Sequence, residues 1–358
     1  MPSLKEIKVR INSISSTLAI TSAMKMVAAA KLQKAQMAIQ NMLPYERRLY
    51  SMLVDLMGAM NISAAASEDG SVRGSGSAER GFDQSGDRLS LSNRHDLAGM
   101  DGAYSLMAQR EVRKVAIVAF ASNSSLCGAF NSNAIREATA VINEYRASGL
   151  GDADITVYSV GRKMAEAMKK LGFPSPADFT KMSDSPSYDA ASALAQELLD
   201  GFVSGRFDKV ELVYNHYKST SSQPTTRQTY LPLSLADATA DIQAGKIADS
   251  ASESDTNRGA EPVGAPVVRQ GSPTTEDLIV EPSKEALIAT LLPKVIRLRI
   301  FTTLLDSAAA EHAARTVAMQ LATDNGNDLL QELTLEFNKG RQQKITSEIL
   351  DLVGGSMQ

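Results

Sequence analysis

The chain has 358 residues and a formal net charge of −4, which is more than one ordinary domain of about 100 to 200 residues and points to a compact unit plus something extended. Hydrophobic residues make up 43% but aromatics only 5%, with no tryptophan and 15 methionines, a mixture that suits long helices and argues against a sheet-rich fold. No apolar run approaches the roughly 20 residues needed to span a bilayer.

Residues 1–60 read as one long helix. From Ser3 to Met57 the stretch is built of strong helix formers, with Pro44 expected to bend the rod or mark where it leaves its partner. Ile7, Ile11, Ile14, Leu18, Thr21 or Ser22, and Lys25 follow heptad spacing before a small-residue run at Ala28, Ala29 and Ala30, the stripe of a coiled-coil seam. Lys5, Lys8, Arg10, Lys25, Lys31, Lys34, Arg47 and Arg48 make this rod locally basic. Residues 61–112 form a low-complexity insertion and linker; between Asn61 and His95 the crowding of Gly, Ser, Asp and Arg cannot bury enough apolar surface to offset ordering entropy.

An α/β domain is expected over 113–235. KVAIVAFA (Lys114 to Ala121) is a strand covered on both faces. The loop SNSSLCGAFN follows, then a helix near Ser132 to Ser148, a strand at Asp154 to Val160 and a helix ending at Gly172. A further helix spans Tyr188 to Val203, and strands at Lys209 to Asn215 and Thr226 to Leu233 complete a largely parallel, Rossmann-like sheet. A second polar insertion covers 236–276. Residues 277–358 hold a final strand and a second very long helix from Ser283 to Val353, interrupted early by Pro293 and weakened at Gly326 and Gly340. Two long terminal helices around a compact domain are satisfied by an antiparallel coiled coil projecting from an α/β base.

Catalytic chemistry is not legible. There is no G-x-x-x-x-G-K-[ST] stretch and no H-E-x-x-H spacing, and His95, His216 and His312 are scattered. The loop after the first strand has only Gly128, short of a dinucleotide fingerprint. Cys127, the sole cysteine, excludes an intrachain disulfide, is compatible with a reducing compartment, and at a strand end reads as a buried structural thiol. The basic helix lacks the aromatic interleaving of a nucleic-acid surface. The start MPSLKEIKVRINS has no signal-peptide core, so the chain is expected to begin at or near Met1, to bind no cofactor, and to reach a membrane through partners.

Three stretches in order, ITSAMKMVAAAKL (Ile20 to Leu32), RLRIFTTLLDSAAAEHAARTVAMQLATDN (Arg297 to Asn325) and NKGRQQKITSEILDLVGG (Asn338 to Gly355), resemble the signatures of F-type ATP synthase gamma subunits, and SLCGAFN (Ser125 to Asn131) is similar to that family's strand-end loop. The family loop usually reads S-D-R-G-L-C-G, whereas Ser122 to Ser125 here carry no charge. The dithiol switch of chloroplast-type members is excluded by a single cysteine.

The resemblance implies a non-catalytic central shaft carrying torque between a membrane c-ring and a hexamer of alpha and beta subunits, together with an epsilon subunit, peripheral at the cytoplasmic face of a bacterial inner membrane. It implies hexamer contacts at Met24, Lys25 and the neighbouring Met26, whose residue-level alternative is ordinary packing. It also implies contacts at Arg341, Gln342, Thr346 and Glu348, whose alternative is a solvated helix face. A ring contact is expected in the turn His216 to Pro224, with His216, Tyr217 and Lys218 first. The rival reading is a small-molecule enzyme that uses the α/β domain and dimerises through its helical arms.

Overall fold

A computed structural model describes residues 3–59, 106–107, 109–233, 281 and 284–356. The insertions expected at 61–95 and 236–276, and the strand expected ahead of the C-terminal helix, lie outside the described residues.

Helix α1 spans Leu4–Ala59. Its first turn is closed by a reciprocal cap: the Ser3 hydroxyl accepts from the Glu6 amide and the Glu6 carboxylate accepts from the Ser3 amide, at 3.3 and 3.2 Å. α1 continues through Pro44, the residue expected to bend the rod or mark where it leaves its partner. Proline removes one amide donor, but Gln40 and Pro44 are both exposed, so water can serve the freed carbonyl. Beyond Pro44, the buried Leu49, Tyr50, Leu53 and Leu56 hold the last turns in place. The C-terminal helix, α6, runs over Lys284–Ser356 and likewise passes through Pro293; at about 1.5 Å per residue it is roughly 110 Å long.

Between them lies a four-stranded sheet of order β2-β1-β3-β4, made of β1 Val115–Phe120, β2 Ile155–Val160, β3 Lys209–Asn215 and β4 Thr225–Leu231. β1 pairs in parallel with β2 and β3, and β4 adds antiparallel to β3. α2 (Phe130–Ala147), α3 (Arg162–Lys170), the short α4 (Thr180–Asp184) and α5 (Tyr188–Val203) complete the domain. The period-two alternation of β1 splits its side chains between two cores. Ala116, Val118 and Phe120 face Leu194, Leu198 and Phe202 of α5 and Leu292, Ile296 and Ile300 of α6. Val115, Ile117 and Ala119 face α2 and α3 through Ala134, Ala138, Val141 and Met164. A strand apolar on both faces is what two covering layers require.

One glycine is dictated by geometry. Gly161 has φ of 101°, and a Cβ there would lie 2.0 Å from the Ala121 carbonyl oxygen, so only glycine lets β2 turn into α3 this close to β1. On the α2 side, the buried Glu211 carboxylate accepts from Tyr145 at 2.6 Å and from Arg227 at 2.7 Å and pairs with Lys209 at 2.7 Å. Arg227 also bonds Glu144 of α2, so the network ties edge strand β4 to its neighbours. The two cations and the tyrosine hold the Glu211 carboxyl below its usual range even though burial acts the other way.

α1 and α6 run antiparallel. Tyr50 meets Arg299, Leu32 packs with Ala309 and Ala313, Thr21 meets Thr323, Leu18 meets Gly326 and Leu4 meets Gly340. Along α1 the least exposed positions recur at 4, 7, 11, 14, 18, 21, 25, 28, 32 and 35, the heptad seam read from the sequence. α6 changes character along its length. From Leu292 to Ala313 it is covered by the sheet domain on one side and α1 on another. From Leu321 to Gly340 only the positions turned to α1 are partly covered, and from Arg341 to Val353 every side chain is exposed.

Candidate functional site

The last turns of α6 stand beyond the start of α1, because Gly340 already meets Leu4. Arg341, Gln342, Thr346 and Glu348 all lie on this unpaired segment. Thr346 donates to the Gln342 carbonyl at 2.9 Å, and Glu348 lies 3.8 Å from Lys344, both exposed, a pair of little energetic weight. Among the described residues neither the Arg341 guanidinium nor the Gln342 amide has a side-chain partner. Ile345, Ile349, Leu350, Leu352 and Val353 are also exposed on the same segment, Leu352 at 74%. Sequence reasoning had picked out the polar set and missed these five. Their signal was ITSEILDLVGG, apolar positions too closely spaced for one seam.

Met24 and Lys25 are half-buried along the α1–α6 seam, while the adjacent Met26 and Val27 are 65% and 57% exposed. The helix thus presents Met26 outward and keeps Lys25 at a heptad position. His312 lies on α6 further along the seam, at the level of Lys31 and Leu32. Burial, with Arg315 and Lys31 nearby, pushes its pKa down to about 4, and its Nδ1 is buried without a hydrogen-bond partner among the described residues. Neighbouring Glu311 is pulled up by burial, opposed by its 2.6 Å pair with Arg315.

The loop after β1 is fixed at the same end of the sheet. Asn131 accepts from the Ser122 amide at 3.0 Å, and its side-chain amide approaches Cys127 Sγ at 3.2 Å. Arg315 of α6 donates to the Ser124 hydroxyl at 2.8 Å. Cys127 is buried, as the strand-end setting suggested. Leu126, which sequence reasoning did not single out, has φ of 68° and is 59% exposed. An apolar residue held outward in a left-handed conformation by a bonded loop has no local signature in the sequence.

The turn after β3 is drawn inward. Asp306 of α6 accepts from the Tyr217 amide at 2.9 Å and lies 2.6 Å from His216 Nδ1, which raises the His216 pKa above its ordinary value. Gln36 of α1 donates to the Tyr217 hydroxyl at 2.6 Å; Lys218 is exposed. A cavity of about 670 Å³ opens between this turn, α1 and α6, bordered by Arg47, Tyr214, Lys218 and Gln228 among others. It is the place a small-molecule reading would use. Turn, loop and cavity all sit where β1 and β3 end, on the side of the domain from which the helix pair emerges. The chain ends of the pair, at Ala59 and Lys284, lie with the opposite end of the sheet, where Leu53, Leu56, Leu106, Leu233 and Ile288 share a core. No helix among the described residues is long and apolar enough to cross a membrane.

Comparison with known proteins covers the whole chain. A family model described as ATP synthase matches residues 3–357. The ATP synthase gamma chain of Phocaeicola vulgatus is 46% identical over 357 residues, all of both chains, and that of Bacteroides thetaiotaomicron 45% over 358. The Flavobacterium johnsoniae gamma chain is 35% identical, across 99% of this chain and 98% of its own. Because these matches run end to end, the two polar segments fall within them. Among solved structures, the rotor of Euglena gracilis mitochondrial ATP synthase in rotational state 1 aligns with a TM-score of 0.51 at 18% identity, over 96% of this chain and 98% of that one. A second, of its OSCP/F1/c-ring assembly in rotational state 3, gives 0.52 at 18%, over 99% and 93%; at that identity the likeness speaks for the fold. With sequence identity over the full length and the same arrangement of helix pair and sheet, the chain belongs to the family of ATP synthase gamma chains.

Proposed function

We propose that this chain is the central rotor shaft of an F-type ATP synthase, carrying torque between an ion-driven membrane c-ring and a catalytic hexamer of alpha and beta subunits, without bond chemistry of its own. The observation that carries the reading is the graded support of α6: sheathed in its own domain at one end, seamed to α1 in the middle, and bare for its last turns. A rod finished this way offers an asymmetric surface to whatever encloses it. The helix pair is read as an antiparallel coiled coil, from its heptad-spaced burial and antiparallel contacts.

On this reading the bare end enters the hexamer. Arg341 and Gln342 act as a catch on a catalytic subunit, Thr346 and Glu348 flank them, and Met24 and Lys25, with the more exposed Met26, meet the surrounding collar. Arginine suits a catch because its planar fork makes and exchanges several charge-assisted bonds. Each shaft angle then favours a different conformation of each catalytic subunit, so rotation biases the three sites in turn. The epsilon subunit and c-ring are assigned to the globular end, peripheral to the cytoplasmic face of a bacterial inner membrane. On this reading the ring contact first expected at His216, Tyr217 and Lys218 moves elsewhere. His216 and Tyr217 are spent on Asp306 and Gln36 at the shaft side of the sheet, leaving Lys218 and the turn beyond it for a neighbour. We assign the ring itself to the opposite end, where α1 finishes and α6 begins.

Native mass spectrometry after gentle extraction tests the reading. Co-purification with two larger nucleotide-binding chains and one small chain is the expected result; a homodimer holding a small molecule in the cavity beside Tyr217 would instead establish the enzyme alternative.

A further inference from the structure

The two helices of the shaft meet through an uneven seam. A Cβ on Gly326 would stand 2.6 Å from Leu18 Cδ2 and 3.2 Å from its Cγ, so the Leu18 side chain occupies the space a side chain at 326 would take. Two heptads further along both helices the arrangement repeats, with a Cβ on Gly340 placed 3.1 Å from Leu4 Cδ2. Beside the first contact, the Thr323 hydroxyl donates to that of Thr21 at 3.1 Å, and also reaches the Met319 carbonyl at 2.8 Å. Glycine in a helix interior is unfavourable relative to alanine, so two glycines at the matching distance, each facing a leucine, cost helix stability for something else. What they provide is register: a large knob fits only opposite a missing side chain. Sliding α6 by one residue would set Leu18 against Asn325 or Asn327.

We infer that Leu18–Gly326, with Leu4–Gly340, is a register lock that fixes the axial and angular position of the bare end of α6 relative to α1, and that releasing it uncouples ATP hydrolysis from ion translocation while the rotor stays assembled. The inference rests on the rotor reading. Its logic is that Arg341 directly follows the second lock and has no other support among the described residues, so its angle about the shaft axis is inherited from these two contacts. Leu18 and Gly326 are therefore positioning residues, acting through the segment beyond them.

The test uses the complete ATP synthase complex, with two readouts. In the first, Thr21→Cys and Thr323→Cys are introduced together and disulfide yield under mild oxidant reports the register; Cys127 is buried and does not compete. In the second, ATP-driven ion pumping into vesicles is divided by the ATPase rate. Gly326→Leu is expected to lower the cross-link yield severalfold and the pumping ratio at least threefold, with ATPase changed less than twofold. Adding Leu18→Ala, which moves the knob to the other helix, should restore both. If Gly326→Leu blocks assembly, Gly326→Ala replaces it and must shift both readouts in the same direction, with Leu18→Ala again restoring them. Unchanged cross-linking and pumping, or failure of Leu18→Ala to rescue, overturns the lock. A parent complex that hydrolyses ATP without this chain turning would overturn the rotor reading, and the cross-link yield would still stand as a measure of register.

Discussion

Replacing Arg341 and Gln342 together with alanine separates a catch from a solvated helix face. Both side chains are exposed and without side-chain partners among the described residues, and the Thr346 hydroxyl bonds the Gln342 backbone carbonyl, which alanine retains. Alanine is also the better helix former. The structure therefore predicts that the isolated chain is unchanged within about 0.5 kcal/mol. Assembly should survive too, since the rest of the long helix pair keeps its contacts. If the two residues grip a catalytic subunit, each charge-assisted hydrogen bond lost is worth about 1.5 to 3 kcal/mol. At about 1.4 kcal/mol per factor of ten, steady-state ATPase and ion-driven synthesis should fall by about tenfold to somewhat over a hundredfold for each such bond lost. Lys339→Ala, exposed two residues before Arg341, is the control and should fall much less. The assay is ATPase and synthesis on complexes of confirmed subunit stoichiometry. Full rates in both directions from an intact complex would return Arg341 and Gln342 to the solvated face.

Glu211→Ala should lower the chain's stability by about 3 kcal/mol, because Arg227, Lys209 and Tyr145 lose a shared buried acceptor and two cations are left under-compensated; denaturant melts that differ by less than 1 kcal/mol would show that the network is dispensable. The two described histidines should tilt stability in opposite directions with pH. His312 stays neutral in the fold down to about 4 while the unfolded chain takes up its proton near 6.5, so its contribution is present above 6.5 and lost as pH falls toward 4, at about 1 kcal/mol after allowance for solvent. His216, raised by Asp306, contributes below 6.5 and loses that contribution as pH rises through its raised value. Thermal melts across pH 4.5 to 8 should flatten on the acid side in His312→Gln and on the neutral side in His216→Gln, and the same slope in both variants would refute the assignment. Hydrogen exchange on the isolated chain should show α6 protected in three steps, strongest over Leu292 to Ala313, weaker to Gly340 and least beyond Arg341; uniform protection along the helix would contradict the graded support.

Much of the fold was legible because its signals are periodic. The helix at Tyr188–Val203 matches its observed bounds, and the strand cores agree to within a residue or two, since a β-branched run between turn residues has few other solutions. The seven-residue stripe of α1 gave the seam. Pro293 misled: it was expected to interrupt the second helix, yet tertiary packing on both sides carries the backbone through it, and α1 likewise runs on through Pro44. The long-range polar contacts were not readable at all. His216 finds Asp306, and Glu211 finds Tyr145 and Arg227, each across a sequence distance at which no local pattern survives.

The candidate site was legible only by resemblance, for a physical reason. A catalytic site announces itself by convergence within one chain, through buried carboxylates, displaced pKa values and clustered ligands. Arg341, Gln342, Thr346 and Glu348 show none of these. They are exposed and weakly partnered, which is how a solvated helix face looks. What sets the segment apart is the company it keeps: five exposed aliphatic residues on a helix that has outrun its partner. A solvated face has no use for Ile345, Ile349, Leu350, Leu352 and Val353, whose exposure works against the free chain and is relieved only when something surrounds it. The apolar residues therefore argue for an enclosing partner more strongly than the polar set does. On the proposed reading Arg341 and Gln342 would stand at the entrance to that stretch, where a charged fork keeps water on one side and gains a partner on the other.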